Sequence, residues 1–356
     1  MDEGRASGLW QRLRAAGVVH GDPPLLPEDD GGTPWPVRWL AGAGAWIAVP
    51  ALLAFMALAF RWKPDDWAAL LVSGLLLTGA SLPVLRLAAA GEFVRQSATV
   101  ANLCGLLVTG TAIGWAADDN SRVMALATAL LGATLFVLSR SWVHRFLCAN
   151  AVAACLVWLM LEVGRPAPGT SMALLLMVWL TVAAWLLRLY GDPATWPRRM
   201  IEPAAWAFTV VLLVLAWFLP LLDLPGRTQE FASVRGVHLA AASALPVVAV
   251  ALILPHCRAI GATASAGLLL TALLLAWLWR WVPGAPVALA LLLLAVAMGA
   301  TVLMLVAIAF FAVALAHYYW QLTDSLLAKS LSLAIGGTII LAVHLVLRAR
   351  RRREGT

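Results

Sequence analysis

Apolar residues fill most of this chain in long runs of Leu, Ala and Val, and short polar breaks separate the runs. A transmembrane helix needs about 20 such residues to cross a hydrocarbon core of roughly 30 Å. The runs approach that length and lack the apolar/polar alternation that marks the strands of an outer-membrane barrel. The pattern therefore predicts an all-α membrane protein, folded as a polytopic helical bundle.

Twelve segments are predicted to span the membrane, and most are joined by short connections rich in polar or turn-forming residues. The predicted spans are 38–60, 67–87, 97–117, 123–139, 146–163, 172–189, 204–222, 237–255, 260–279, 286–299, 302–319 and 326–347. A count of 11 is the alternative, because residues 286–317 form one apolar run that is long for one helix and short for two.

Charge placement decides between the two counts. With twelve spans and a cytoplasmic N-terminus, the cytoplasmic segments hold 17 of the 25 Lys and Arg residues, as the positive-inside rule requires. Eleven spans would instead place the arginine-rich C-terminus outside. The sequence therefore predicts twelve spans, cytoplasmic N- and C-termini, and a hairpin near Met298, Gly299 and Ala300.

Three regions follow from this layout. Residues 1–36 are predicted to be a cytoplasmic segment with a short amphipathic helix and an acidic, proline-rich linker. Residues 37–347 form the transmembrane helical domain, and residues 348–356 form a basic cytoplasmic tail. The first apolar run begins too far from Met1 for a cleaved signal peptide, so we expect the N-terminal segment to be retained.

Composition points to the same environment. Of the 356 residues, 62% are hydrophobic and 12% are charged, against about a quarter charged in soluble domains. The formal charge of +7 is not a sign of nucleic-acid binding, because five arginines lie in the last nine residues. A basic tail after a membrane helix is explained by topology and anionic lipid. We therefore expect the lipid bilayer as a partner, and no nucleic acid.

The polar residues argue against several activities. All 18 Asp and Glu residues lie in predicted tails, loops or helix ends, whereas ion-coupled transporters usually hold a carboxylate at membrane depth. The motifs HExxH and GxSxG are absent, and the sequence reveals no nucleophile–base pair. We therefore expect no enzyme, no cofactor, and no catalytic or metal-ligating residues.

Two asparagines, Asn102 and Asn150, are the candidate intramembrane polar residues. They could line a polar path, or they could make interhelical hydrogen bonds worth about 0.6 kcal/mol each; we favour the second interpretation. Gly110 and Gly114 form a GxxxG pair, which is typical of close helix packing. All four residues thus predict helix contacts more strongly than a site.

Tyr318, Tyr319, Asp324 and Lys329 form the densest candidate functional cluster, at the predicted outer face. Lys329 would lie about one turn inside the interface, where its ammonium group can snorkel outward, with Asp324 as a plausible partner. The functional interpretation is a polar cluster under an aromatic lid that binds a partner protein or an envelope ligand. The simpler interpretation, which we favour, is an aromatic belt with a snorkelling lysine.

Three segments carry a likeness to a known family. They are the start Leu9-Trp10-x-x-Leu13-Arg14-Ala15-Ala16-Gly17-Val18, the stretch Pro34-Trp35-x-Val37-Arg38 leading to Gly42, Gly44 and Trp46, and the ending Tyr318-Tyr319-x-x-Leu322-x-x-Ser325-Leu326-Leu327-x-Lys329-Ser330. They resemble the bacterial membrane family called domain of unknown function 4401. The family has no established activity, so the resemblance implies no catalytic residues.

The resemblance implies a Gram-negative inner membrane. It also implies two partners encoded nearby, another polytopic membrane protein and a small envelope protein with a GDYxxLxY motif. The leading functional hypothesis is a non-enzymatic subunit or scaffold of an envelope membrane complex. The alternatives are a transporter or flippase that uses neutral polar groups, and an envelope sensor built on Lys329 and the tyrosines.

Overall fold

The computed structural model describes residues 35–59, 61, 63, 66–86, 91–163, 168–191, 198–218, 231–256, 261–280, 282, 284–320, 327, 330–331, 334–342 and 345. Over these residues the chain is helical and forms no β-strand. The helices are α1 (Trp35–Ala59), α2 (Trp67–Arg86), α3 (Glu92–Ala116), α4 (Ser121–Leu138), α5 (Trp142–Val163), α6 (Pro168–Tyr190), α7 (Arg198–Phe218), α8 (Phe231–Ala242), α9 (Ala244–Ile253), α10 (Ala262–Leu278), α11 (Gly284–Met298) and α12 (Thr301–Trp320). Residues 334–342 are helical as well.

Seven helical stretches of the described chain are long and apolar enough to cross a membrane, judged by length and composition. They are Trp67–Arg86, Phe93–Ala116, Ser121–Leu138, Trp142–Val163, Gly169–Tyr190, Arg199–Phe218 and Gly236–Ile253. The shorter apolar helices are Gly42–Phe55, Ala262–Leu278, Gly284–Met298 and Thr301–His317. The predicted all-α class is confirmed, the long apolar helices fit a membrane bundle, and the count of twelve spans stays a prediction.

The predicted break in the long apolar run is present. α11 ends at Met298 and α12 begins at Thr301, and Gly299 between them has a φ of +64°. The Ala300 N–H donates to Ala295 O at 2.9 Å, and the Gly299 N–H donates to Val296 O at 3.2 Å. This pair of bonds is a Schellman cap, which requires a left-handed residue where glycine has no steric penalty.

The predicted span 237–255 corresponds to the helical stretch Gly236–Ile253, which is long and apolar enough to cross a membrane. Ser243, between α8 and α9, keeps an α-helical backbone: its N–H donates to Leu239 O at 3.0 Å, and its carbonyl accepts from Val247 N at 3.1 Å. Pro246, in the first turn of α9, has no N–H to donate to the preceding turn. The Ser243 hydroxyl donates to Ala240 O at 2.6 Å. The stretch therefore lacks one backbone bond without losing its helical course, as is common where a proline occurs inside a membrane helix.

Two helices begin before the membrane spans predicted for them. α3 begins at Glu92, ahead of the predicted span 97–117, and α7 begins at Arg198, ahead of the predicted span 204–222. Both helices start with charged residues that the apolar-run criterion excludes. The backbone nevertheless stays helical there, since a helix satisfies its own hydrogen bonds in the headgroup region as well as in the hydrocarbon core.

Glycines set the spacing between α2, α3 and α4. A Cβ atom at Gly105 would lie 2.8 Å from Thr78 N and 2.8 Å from Gly74 O, so α2 and α3 approach backbone to backbone. Gly110 and Gly114 make room on α3 for side chains of α4, and a Cβ at Gly114 would lie 2.7 Å from Met124 Cβ. The close packing predicted for the GxxxG pair is therefore confirmed, and Gly74 with Gly105 forms a second close approach.

The turn between α3 and α4 depends on side-chain capping. Asp118 and Asp119 have φ values of +56° and +58°, in the left-handed region that Asp tolerates better than most residues. Asn120 Oδ1 then accepts from Arg122 N at 3.0 Å and from Val123 N at 3.3 Å. Two of the first N–H groups of α4 are thus satisfied by one N-cap residue.

We expect Asn120→Ala to lower the free energy of unfolding by about 1 kcal/mol, because alanine leaves both N–H groups of the cap without this acceptor. Asn120→Asp keeps an acceptor at the N-cap and should change stability much less. The comparison requires unfolding curves for both variants in the same detergent mixture. Equal losses in the two variants would mean that the cap does not stabilise α4.

Candidate functional site

Asn102 of α3 is completely buried and lies against α2. Its Nδ2 donates to Ser81 Oγ at 2.8 Å and to Thr78 O at 3.1 Å. The Ser81 hydroxyl in turn donates to Thr78 O at 3.0 Å. Both amide hydrogens of Asn102 are used, so its Oδ1 must be the atom that accepts a hydrogen bond.

His144 of α5 supplies that third bond. Its side chain is completely buried, and Nε2 lies 2.9 Å from Asn102 Oδ1. Because Oδ1 can only accept, Nε2 must carry the hydrogen, and the network fixes the imidazole tautomer. One asparagine thus joins α2, α3 and α5 through three hydrogen bonds, and we name Ser81, Asn102 and His144 the buried polar network.

Cys148 lies one turn after His144 and is also completely buried. Its Sγ is 3.7 Å from His144 Nδ1 and 3.9 Å from Nε2. A sulfur almost equidistant from both nitrogens lies beside the ring rather than along the lone pair of one nitrogen. Cysteine, histidine and asparagine together have the composition of a papain-like triad, but this trio has neither the alignment nor the exposure that a nucleophile needs.

Arg145, next to His144, joins the ends of three helices. Its Nε donates to Phe136 O at 3.3 Å, and its Nη1 donates to Arg199 O at 3.1 Å. Phe136 O belongs to the last turn of α4, where carbonyls have no partner within the helix. Arg199 O lies four residues before Pro203, which has no N–H to donate to it. Arg145 therefore satisfies two carbonyls that the α4 and α7 backbones leave open.

A second contact region joins α6 to α7. Trp185 is completely buried, its Nε1 donates to Thr209 Oγ1 at 2.9 Å, and its ring meets Trp206 edge-on at 5.5 Å. Arg188 forms an ion pair with Glu202 at 3.5 Å and lies over the Trp185 ring. The polar groups of this contact region are therefore paired with one another across α6 and α7.

The other sequence-predicted residues lie apart from this network. Asn150 Nδ2 donates to Phe146 O at 2.8 Å, a bond within α5 itself. Tyr318 and Tyr319 belong to the last turn of α12, and their side chains are outside the described set. Asp324 and Lys329 lie outside the described residues altogether. The structure brings neither Asn150 to Asn102 nor the described part of the C-terminal cluster to the buried polar network.

Two cavities in the described part of the chain are open to the outside and apolar. The first, which we name the α1–α3 groove, has a volume of about 600 Å³. Its lining residues are Val49, Leu52, Leu53, Ser73, Leu76, Leu77, Ala80, Ser81, Val84, Val94, Ser97, Ala98 and Ala101. The second, the α6–α10 groove, has about 520 Å³ and is lined by Trp179, Val182, Ala183, Leu186, Pro246, Val247, Val250, Ala251, Leu269 and Leu273.

No group of three or more His, Cys, Asp and Glu side chains that could hold a metal ion occurs among the described residues. Asn102 was predicted from the sequence, but its partner His144 was not, because His144 lies 42 residues away and shares no motif with it. Arg145 was not predicted either. A polar residue in the first turns of an otherwise apolar helix is the only signal that both of them share.

Fold and site together define a helical membrane protein in which the buried side chains of Ser81, Asn102, His144, Arg145 and Thr209 bond from one helix to another. The chain belongs to the family described as Domain of unknown function (DUF4401), whose model matches residues 34–350. The family resemblance is thereby confirmed; the match covers the segments that begin at Pro34 and Tyr318 and does not include Leu9–Val18. The chain matches no curated protein and no solved structure.

Proposed function

We propose that this protein is a non-enzymatic subunit of a membrane complex, a scaffold that holds a partner polytopic protein. The observation that carries the proposal is the burial and hydrogen bonding of Asn102. It is completely buried, both of its amide hydrogens are donated to α2, and its Oδ1 accepts from α5. A residue engaged in this way fastens helices together and has no free polar group to offer a passing substrate.

The cavities support the same proposal. A transporter or flippase that relies on neutral polar groups requires a hydrated path lined by them, whereas both grooves are lined almost entirely by apolar side chains. The Cys148 and His144 pair is buried and is not aligned as a nucleophile and base. The envelope-sensor alternative rests on Lys329, outside the described residues, and draws no support from the network.

The proposed setting is a bacterial inner membrane, with twelve spans and both termini in the cytoplasm. The support is the positive-inside asymmetry of the sequence and the family resemblance. The proposed partners are the polytopic membrane protein and the small GDYxxLxY envelope protein encoded nearby. A scaffold needs extensive lipid-facing and partner-facing surface, and large apolar side chains such as Leu58 and Leu327 are 79% and 76% exposed.

The test is the fate of the partner when this chain is removed. We expect the neighbour-encoded polytopic protein to co-purify with the tagged full chain in mild detergent. In cells that lack this chain, the partner should fall to a small fraction of its normal membrane level. Unchanged abundance and detergent stability of the partner would contradict the proposal, and substrate flux across vesicles containing only this chain would favour the transporter.

A further inference from the structure

Arg145 is a buried cation at the point where three helices meet. Its side chain is only 8% exposed. From the first turn of α5 it bonds Phe136 O at the end of α4 and Arg199 O at the start of α7. Taking a guanidinium group out of water is costly unless an anion compensates its charge. Two neutral carbonyls accept hydrogen bonds from Arg145 but bring no negative charge.

No acidic residue of these three helices compensates that charge. α4 contains no Asp or Glu, and the single acid of α5, Glu162, lies at the opposite end of its helix. Glu202 of α7 forms its ion pair with Arg188 of α6. The charge that acts on Arg145 is instead that of Arg199, and it is repulsive. Within the part of the chain that the structure describes, Arg145 therefore has no anionic partner.

Arg145 also has hydrogen-bond donors that the two carbonyls do not use. A guanidinium group carries five N–H bonds, and the carbonyls take one from Nε and one from Nη1, which leaves three without an acceptor among the described residues. Arg199 adds a second guanidinium group, whose side chain is exposed and bonds no described residue. Planar N–H forks of this kind match the oxygens of a phosphate group, which can bridge two arginines.

The aromatic residues beside Arg145 indicate its depth in the membrane. Trp142 is exposed, and its ring stacks on Phe146 with the centroids 5.6 Å apart. Indole rings on a lipid-facing surface concentrate at the membrane–water interface, where anionic lipid headgroups attract basic residues. Arg145 follows Trp142 by three residues, or about 4.5 Å along a helix, and therefore lies near the level of the lipid phosphates.

We propose that Arg145 and Arg199 bind one phosphate group where the end of α4 meets the starts of α5 and α7. Arg145 keeps its bonds to the two carbonyls and donates its remaining N–H groups to phosphate oxygens, while Arg199 approaches from α7. An anionic lipid and a free phosphate ion share this chemistry, and the depth of the site favours the lipid. The site goes beyond the scaffold proposal and does not rest on it, because a bound phosphate neutralises this cation whatever the protein does.

Native mass spectrometry of the full chain tests the lipid. The probes are phosphatidylglycerol and phosphatidylcholine with identical acyl chains, offered in equal amounts. We expect phosphatidylglycerol to be retained at least about tenfold better, as two arginines at the headgroup level imply. Arg199→Gln should lower this ratio about fivefold, the effect of one such charge. The variant removes an exposed side chain and keeps the backbone carbonyl that Arg145 bonds, so it leaves the helix contact intact.

Arg86→Gln is the matched control. Arg86 is likewise an exposed arginine in a terminal turn of a helix, at the end of α2, and it bonds no described residue. The control removes the same charge and should leave the lipid ratio nearly unchanged. If both variants lowered the ratio equally, the attraction would belong to the basic surface as a whole, and the proposed site would be wrong.

A free phosphate ion is tested on the lipid-stripped chain. Inorganic phosphate, compared with chloride at the same ionic strength, should then raise the unfolding temperature of the unmodified chain and not that of Arg199→Gln. This result without a lipid preference would assign the site to free phosphate, and a lipid preference alone would assign it to the headgroup. Neither effect in the unmodified chain would overturn the proposal. A variant Arg199→Gln that loses the partner protein and keeps its lipid ratio would replace the phosphate with a partner carboxylate.

Discussion

Gly105→Ala is expected to destabilise the protein by about 2 kcal/mol or more, the range in which overpacking of a tight contact falls. The added Cβ would lie 2.8 Å from Thr78 N and 2.8 Å from Gly74 O. Both neighbours are backbone atoms, which cannot rotate away as a flexible side chain can. The two helices must therefore move apart, and the contact that also positions Asn102 against α2 is weakened. Reversible unfolding in mixed SDS and detergent micelles measures the change.

Gly79→Ala is the matched control in the same helix pair. A Cβ at Gly79 would have no neighbour within 4 Å, so the substitution meets no steric obstacle. Alanine has the higher helix propensity, by up to about 1 kcal/mol, and the control should be neutral or stabilising. If both variants lost the same stability, α2 and α3 would not be packed through their glycines.

Asn102→Leu is expected to lower stability by about 2 kcal/mol, although leucine is more apolar than asparagine. The substitution removes three interhelical hydrogen bonds and leaves the Nε2–H of His144 buried without its acceptor. Each interhelical bond in a membrane is worth about 0.6 kcal/mol on average, and a stranded buried donor adds its own desolvation cost. The same SDS unfolding titration gives the value.

Asn150→Leu is the control, because it replaces an asparagine that makes no hydrogen bond to another helix in the network. Asn150 is half-buried and bonds Phe146 O within its own helix, so its replacement should cost little. Combining Asn102→Leu with His144→Leu should cost less than the sum of the single changes, because neither partner is then left stranded. A strictly additive double variant, or an equal loss at Asn150, would mean that the network does not join the helices.

The long apolar runs predicted most of the helices, because hydrocarbon burial and backbone satisfaction constrain a membrane helix strongly. The same reasoning located the break at Gly299, where charge asymmetry supplied what hydropathy could not. The apolar runs gave no sign that α3 and α7 begin before the predicted spans, since charged residues at a helix end do not interrupt the backbone. They gave no sign of the backbone bond missing at Pro246 either, because one proline changes the hydrogen bonding without changing the hydropathy.

The site was predictable only in part. Asn102 is conspicuous as a polar residue deep in an apolar segment, and the favoured interpretation, an interhelical hydrogen bond, agrees with its contacts. Its connection to His144 arises from how α3 and α5 pack, which no spacing in the sequence encodes. The capping role of Arg145 was equally hidden, since it depends on Phe136 O and on the carbonyl left open by Pro203.

Maleimide labelling of Cys148 tests the central claim, a dry and packed interior, most directly. Cys104→Ala, Cys155→Ala and Cys257→Ala together leave Cys148 as the single cysteine beside the buried polar network, and Lys63→Cys on that background provides an exposed reference. We predict that Cys148 resists labelling from both sides of intact membranes and reacts only after denaturation in SDS. Labelling of Cys148 in folded membranes at a rate near that of the reference would reveal water at the network and contradict the scaffold account.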